Sequence, residues 1–225
     1  MRTRVLVFGL ISLVTAAAYG ESLVPIDGRV MRVPIQSMKE TRIATTVLQK
    51  YDFSCGSAAV ATLLAHHYGH VVDEEEVLRT MYANGDQAKI QKEGFSLLDM
   101  KNYLARLGYT ADGFEQPLDK LAAAKLPAIV LINENGYHHF VVVKGLDRGI
   151  VLAGDPARGT RAFARADFEK IWVGKLLFVI HSHVDKARFN LVADWRAAPQ
   201  APIGTGVMRN GAIGVDLPKQ GPGDF

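Results

Sequence analysis

The chain has little cysteine: Cys55 is the only one among its 225 residues. A single cysteine has no partner within the chain, which excludes both a disulfide framework and the multi-cysteine sites that bind zinc. Two roles remain for it. It can pack as a small buried hydrophobe, or it can be a reactive thiol, the role that a leftover cysteine in an exported protein favours.

The sequence also lacks an excess of either charge, with 26 Lys and Arg residues against 23 Asp and Glu residues. No long run of like charge is present, so nucleic acid is not expected as a partner. The chain has no Gly-Lys-Ser or Gly-Lys-Thr phosphate-binding loop, so no use of ATP is expected. No histidine pair stands at convincing ligand spacing with a carboxylate, so we expect neither a metal nor another cofactor.

Long hydrophobic runs are absent outside the N-terminus. Basic residues in the first four positions precede the apolar segment Val5–Val14, which small residues follow. This order predicts a secretory signal peptide over residues 1–20, cleaved between Gly20 and Glu21. The apolar segment is too short for a stable bilayer anchor, so we expect a periplasmic protein with no integral membrane segment after cleavage. Retention of the signal as an anchor is the alternative.

The first half of the mature chain carries helix signals. After an extended lead-in over residues 21–44, strong helix formers run from Gly56 to Tyr68, with Cys55 at their N-terminal end. N-cap residues, terminal glycines and apolar residues at helical spacing predict further helices. These begin at Asp73 and Ser96, and a shorter one spans residues 118–124.

The second half of the chain changes to strand patterns. Apolar and β-branched stretches predict four strands and one short helix between them. The strands are residues 128–132, 138–143, 150–153 and 176–180, and the helix is 166–172. The dipeptide Asn135-Gly136 predicts a hairpin between the first two strands. Helices followed by an antiparallel sheet predict an α+β fold, and the Pro- and Gly-rich residues 185–225 predict a tail.

The position of Cys55 suits a nucleophile, because free N–H groups and the dipole at a helix N-terminus lower the pKa of a thiol. Histidine is the usual base for such a thiol. His66 and His67 are too far along the same helix, since eleven residues at about 1.5 Å rise exceed roughly 15 Å. His138 and His139 begin a strand and point to opposite faces, so at most one of them reaches the thiol. Apolar residues on both faces leave that choice open.

Two further residues can complete a catalytic set. Asp155 follows a strand and precedes Pro156, where its carboxylate can orient a histidine, although Asp-Pro is also a common turn. The amide of Gln49 can donate to the oxyanion that develops on an attacked carbonyl, with the backbone N–H of Cys55 as the second donor. Gln49 can equally be a solvated polar residue.

Three segments together resemble the C39 peptidases, which are papain-like domains best known for trimming double-glycine leader peptides in bacteriocin exporters. The segments are Gln49–Ala59, His138–Val143 and Gly154–Pro156. In that family a Gln lies six positions before the Cys, and the His leads an aromatic-Val-Val stretch, with the Asp at the end of the following strand. This pattern selects His139 over His138. The resemblance spans about residues 45–182.

The resemblance implies a papain-like cysteine peptidase domain over residues 45–184. Within it, Cys55 is the nucleophile, His139 is the base and acid, Asp155 is the orienting residue and Gln49 is the oxyanion donor. The chain lacks the transporter segments of the best-known members, so their double-glycine specificity does not carry over directly.

The size and layout of the chain are similar to those of exported stand-alone C39-like proteins that accompany functional-amyloid (Fap) secretion systems. The implied partners are a secreted or periplasmic polypeptide substrate and components of a protein secretion or amyloid export system. Two other functions stay open. A peptidase fold can hold a secreted chain without cutting it, although inactive relatives lose the Cys or His that this chain keeps. The same Cys-His-Asp set also serves amidases and transpeptidases.

Overall fold

The computed structural model describes residues 21–26, 29–34 and 37–198, with side chains described from residue 37 onward. The predicted signal peptide and residues 199–225 of the predicted tail lie outside this range. The chain divides into two compact units, residues 1–41 and 42–225. In the first, β1 (Glu21–Ile26) and β2 (Arg29–Pro34) form an antiparallel hairpin, within the segment that the sequence predicts to be extended. Helix α1 (Met38–Ile43) contains the point of division.

The second unit contains helices followed by a sheet. Its first half comprises α2 (Cys55–Thr62), which continues as a π-helical segment (Leu63–His67), then α3 (Glu74–Asn84), α4 (Gln87–Glu93), α5 (Leu97–Arg106), β3 (Ala111–Glu115) and α6 (Asp119–Ala124). Its second half comprises β4 (Ala128–Glu134), β5 (Tyr137–Asp147), β6 (Ile150–Asp155), β7 (Gly159–Ala164), α7 (Arg165–Ile171), β8 (Leu176–Ile180) and α8 (Val192–Trp195). The predicted α+β fold is confirmed.

Strands β3 to β8 form one antiparallel sheet of order β3-β8-β4-β5-β6-β7. The hairpin between β4 and β5 turns at Asn135-Gly136, as predicted, with Glu134 paired directly to Tyr137. Both turn residues have positive φ, 55° and 87°, which Asn and Gly adopt most easily in a two-residue turn. This tight turn fixes the register of β5, the strand that carries His139.

Both faces of the sheet are covered. Phe140 and Val142 of β5 pack in one core with residues of α2, α3 and α5, whereas Val141 and Val143 pack in a second core with residues of α6 and α7. A strand that is buried on both sides needs apolar residues at every position. For this reason the sequence of β5 does not alternate, and its periodicity could not choose between His138 and His139.

Four elements that lie within the second unit were missed by the sequence analysis, namely α4, β3, β7 and α8. Helix α4 has one buried residue, Ile90, so it lacks an apolar stripe. Strands β3 and β7 are the two edges of the sheet, where partly exposed polar residues replace the apolar pattern of the inner strands. The helix predicted to reach Tyr68 is α-helical only to Thr62 and continues as a π-helix to His67. Gly69, with a φ of 66°, follows shortly after this end.

Gly56 sets how closely α2 approaches its neighbours. A Cβ at this position would lie 2.9 Å from Phe95 Cβ and 2.9 Å from Met100 Cε. We expect Gly56→Ala to lower the free energy of unfolding by about 1–2 kcal/mol, because overpacking costs about 1–3 kcal/mol and the helix preference for Ala returns less than about 1 kcal/mol. Urea unfolding measures this difference. An unchanged or higher stability would show that Phe95 can move aside freely.

Residues 188–198 pack on the domain, although the sequence places them in the tail. We call them the C-terminal strap. The N–H of Arg188 donates to His67 O at 2.9 Å, and the N–H of Asn190 donates to Lys144 O at 2.9 Å. The strap then forms α8, and it ends in two buried alanines, Ala197 and Ala198.

Candidate active site

Cys55 is the first residue of α2 and is 7 % exposed. The preceding turn is closed by the N–H of Ser54, which donates to Tyr51 O at 3.0 Å, and by the Ser54 hydroxyl, which donates to the same carbonyl at 3.1 Å. Because Ser54 is engaged in this way, its side chain does not cap the helix. The N–H groups of the first turn remain available to a negative charge on or near the thiol.

His139 connects Cys55 to Asp155 in the structure. Its ring is almost fully buried, and Nε2 lies 2.9 Å from Asp155 Oδ1. The other ring nitrogen, Nδ1, is buried without a hydrogen-bond partner in the described part of the chain, and the Cys55 thiol interacts with this imidazole. His138 is exposed and lies 3.4 Å from Asn133 Nδ2 through its Nε2. The structure therefore brings His139, and not His138, between the thiol and the carboxylate.

The charges of this pair are set by its surroundings. Burial lowers the pKa of His139, but the hydrogen bond to Asp155 and the interaction with Cys55 outweigh it and raise the pKa to about 9. Burial raises the pKa of Asp155, whereas His139, Arg161 and the N–H of Ala157 together lower it to about 2. An imidazolium beside a carboxylate is thus favoured across neutral pH.

Asp155 is held by more than the histidine. Its Oδ2 accepts a hydrogen bond from Arg161 at 2.9 Å, and its Oδ1 accepts one from the N–H of Ala157 at 2.9 Å. Arg161 also donates to both carboxylate oxygens of Glu134, at 2.8 and 2.9 Å. The sequence analysis missed Arg161 and Glu134, since no local pattern connects the middle of β7 with the end of β4.

Gln49 lies in the segment that leads to the cysteine. Its N–H donates to Pro156 O at 2.9 Å, which ties this segment to the turn after Asp155. Its side-chain Nε2 donates to Tyr51 O at 3.0 Å, and its Oε1 is buried without a partner among the described residues. A primary amide has two N–H groups, so one remains for another acceptor.

Tyr137 is a residue of the site that the sequence analysis missed. Its ring centroid lies 5.8 Å from that of His139. Cys55 raises the pKa of its hydroxyl, whereas a hydrogen bond with Gln49 lowers it. Burial is the main reason that the pKa of Tyr137 is raised. The only sequence signal was an aromatic residue two positions before the selected histidine.

A cavity of about 430 Å³ opens at the thiol. It is lined by Asp52, Phe53, Cys55, residues 91–94, Tyr137 and His138. The end of α4 and the glycine that follows it form one wall, so the helix that the sequence analysis missed helps to shape the approach to Cys55.

Two other observations concern the part of the chain that the structure describes. Within it, no group of three or more His, Cys, Asp and Glu side chains is placed to hold a metal ion. None of its helices has the length and apolar character needed to cross a bilayer.

The His139–Asp155 pair makes the stability of the fold depend on pH. The pKa of His139 rises from 6.5 to about 9 on folding, so its contribution is fully present below pH 6.5 and is lost as the pH rises through 9. The pKa of Asp155 falls from 3.8 to about 2, so its contribution is present above pH 3.8 and is lost as the pH falls through 2.

We therefore expect the stability difference between the wild type and His139→Gln to be largest from about pH 4 to 6.5 and to shrink by about 3 kcal/mol above pH 9. Urea unfolding at a series of pH values measures this difference. A difference that stays constant from acid to alkaline pH would contradict the ion pair.

Comparison with known proteins assigns this chain to a known family. Residues 44–183 match the model of the Peptidase C39 family. The chain is 42% identical to the "Probable functional amyloid protease FapD" of Pseudomonas fluorescens over 71% of both chains, and 41% identical to the protein of the same description from Pseudomonas aeruginosa over 83% of both. One similar solved structure is the peptidase domain of Streptococcus ComA, a bi-functional ABC transporter. The match covers 60% of this chain and 97% of that domain, with a TM-score of 0.50 and 22% sequence identity. This match shows a similar fold. The chain belongs to the peptidase C39 family, and it is a cysteine peptidase.

Proposed function

We propose that this chain is an exported peptidase that cuts a peptide bond in a secreted or periplasmic polypeptide, with Cys55 as nucleophile, His139 as base and acid, and Asp155 as orienting residue. The observation that carries the proposal is the buried series Cys55–His139–Asp155. In it, Nε2 of the imidazole is bound to the carboxylate, Nδ1 has no hydrogen-bond partner among the described residues, and the nearby Cys55 contributes to raising the pKa of the imidazole.

The reaction begins with the thiolate of Cys55, whose proton His139 holds on Nδ1. The thiolate attacks the substrate carbonyl carbon, and the carbonyl oxygen becomes an oxyanion that accepts from the N–H of Cys55 and from Nε2 of Gln49. The C–N bond then breaks as His139 protonates the leaving amine. Water, deprotonated by His139, attacks the thioester and releases the second product with the free thiol. Asp155 keeps the imidazole oriented throughout by accepting from its Nε2–H.

The substrate that we propose is a secreted amyloid-forming polypeptide. This rests on the two Pseudomonas relatives described as probable functional amyloid proteases, which share 41–42% identity with the chain. Components of the secretion system that exports such a polypeptide are the proposed partners. The aromatic side chains of Phe53 and Tyr137 stand at the cavity beside Cys55 and favour small substrate residues next to the cut bond.

The proposed location is the periplasm. Its support is the order of basic, apolar and small residues over residues 1–20, which is typical of a cleaved secretory signal. N-terminal sequencing of the protein recovered from a periplasmic fraction tests it, and the proposal expects Glu21 as the first residue.

The catalytic pair can be tested without a substrate, because Cys55 is the only thiol of the chain. We expect iodoacetamide to alkylate Cys55 at pH 6 at least about tenfold faster in the wild type than in His139→Ala, because an imidazolium beside the sulfur stabilises the reactive thiolate and alanine removes it. The mass of the intact protein follows the reaction. His138→Ala is the matched control and should react like the wild type. Equal rates in the wild type and His139→Ala would remove His139 from the proposed role.

A further inference from the structure

A second charged pair is buried on the far part of β5. Lys144 and Asp194 are both fully buried, with Lys144 Nζ 3.0 Å from Asp194 Oδ1. The same ammonium donates to Thr45 O at 2.8 Å, to Thr45 Oγ1 at 2.8 Å and to Thr46 Oγ1 at 3.0 Å. A buried ammonium needs oxygen partners and a counter-charge, and Asp194 supplies the counter-charge here.

Asp194 belongs to the C-terminal strap, which is held on β5 at Lys144 and at the two residues that follow it. The backbone of Asn190 donates to Lys144 O, and its side chain pairs with Leu146, accepting from N at 2.7 Å and donating to O at 3.1 Å. The ring of Trp195 packs against Gly145, and a Cβ added at Gly145 would lie 3.1 Å from that ring. The strap lies beyond residues 44–183, the part that matches the family model.

Lys144 connects the strap to the segment that carries Gln49. Thr46, which Lys144 contacts, also shares a hydrogen bond of 2.8 Å with Thr160 of β7. The next residue, Val47, donates its N–H to Thr62 Oγ1 of α2 at 2.9 Å, and Gln49 is tied to Pro156. The segment from Thr45 to Gln49 is therefore held by Lys144 at its start and by Thr160, Thr62 and Pro156 further on. Cys55 and His139 take no part in these contacts.

We propose that Asp194 is a positioning residue of the peptidase: through Lys144 it holds the segment Thr45–Gln49 so that the Gln49 amide meets the oxyanion. The inference rests on the proposed function, in which Gln49 donates to that oxyanion. It assigns to the C-terminal strap a role in the reaction at a site that it does not contact directly.

The test measures three rates in each variant: steady-state hydrolysis of the p-nitrophenyl ester of N-acetylglycine, as kcat and as KM, and the iodoacetamide alkylation of Cys55. For Asp194→Asn we expect kcat to fall at least about tenfold, as for the loss of one oxyanion donor, with KM and the alkylation rate within about twofold of the wild type. Asp194→Glu should recover most of the lost kcat. Asp185→Asn, an exposed aspartate just before the strap, is the matched control.

Asp194→Asn leaves Lys144 buried without a counter-charge, so this variant can fail to fold. Lys144→Met/Asp194→Val removes both charges, and buried ion pairs replaced in this way commonly keep their stability. We expect this double variant to fold and to show the same selective loss of kcat. In a Gln49→Ala background the Asp194 substitution should cause no further loss, because both changes remove the same interaction.

The results separate the possible failures. If Lys144→Met/Asp194→Val folds and keeps the kcat of the wild type, the inference is overturned. Equal losses of kcat and of the alkylation rate would also overturn it, because they indicate general destabilisation. A wild type that alkylates slowly and releases no p-nitrophenol would overturn the proposed function itself, and the inference with it.

Discussion

Cleavage of the proposed substrate, a secreted amyloid-forming polypeptide, is expected to fall by at least about 10⁴-fold when Cys55 is replaced by Ala. The substitution removes the sulfur atom that would form the thioester, and neither water nor another side chain replaces it in the cavity. The fold should be retained, since a Cβ still fills the first position of α2 and Ala is a good helix former. Mass spectrometry of the polypeptide after incubation detects the new termini, and thermal unfolding checks the fold.

The same substitution distinguishes the alternatives to peptide hydrolysis. Undiminished cleavage by folded Cys55→Ala would exclude Cys55 as the nucleophile. A wild type that retains the polypeptide but never produces a new terminus would indicate a binding module. Products that carry an added amine in place of water would indicate a transpeptidase.

Replacing Asp155 by Asn is expected to lower kcat by about 10²–10⁴-fold, although the two side chains have the same shape. The two carboxylate oxygens accept from Nε2 of His139 and from Arg161. An amide has one acceptor oxygen and one donor nitrogen, so it can satisfy only one of these donors. Either the imidazole loses its orientation or Arg161 faces an N–H group. Steady-state hydrolysis of the p-nitrophenyl ester of N-acetylglycine measures the loss.

Two further variants sharpen this result. Asp147→Asn, at a half-exposed position at the end of β5, is the matched control and should keep the kcat of the wild type. Arg161→Met combined with Asp155→Asn should regain part of the lost rate, because the amide nitrogen no longer meets a competing donor. Full activity in Asp155→Asn alone would mean that the carboxylate is not needed.

The sequence predicted those parts of the molecule whose cause is local. Strong helix formers and caps identified α2, α3 and α5, and the Asn-Gly turn identified the hairpin of β4 and β5. The choice between His138 and His139 was not local, because β5 is buried on both faces and its residues do not alternate. The family pattern made that choice, and the structure places His139 beside Asp155.

The residues that the sequence analysis missed form contacts with residues far away in the sequence. Arg161 and Glu134 look like ordinary surface charges in the sequence, and their position around Asp155 follows only from the order of strands in the sheet. Lys144 is a charge within an apolar strand, and its partner Asp194 lies in a segment with no clear pattern. A long-range pair of this kind cannot be inferred from periodicity, because each residue gains its role from the other.

The contacts around the site also determine when a newly made chain can become active. Thr46 and Thr160 are 114 positions apart, and His67 and Arg188 are 121 positions apart. Contacts between residues so distant in sequence form late and slow folding, because the loops between them must close first. Cys55 and His139 are likewise far apart in the sequence, so the thiol gains its base only when β5 packs on α2. We therefore expect peptidase activity to appear only after β5 and β6 have joined the sheet, which brings His139 and Asp155 together.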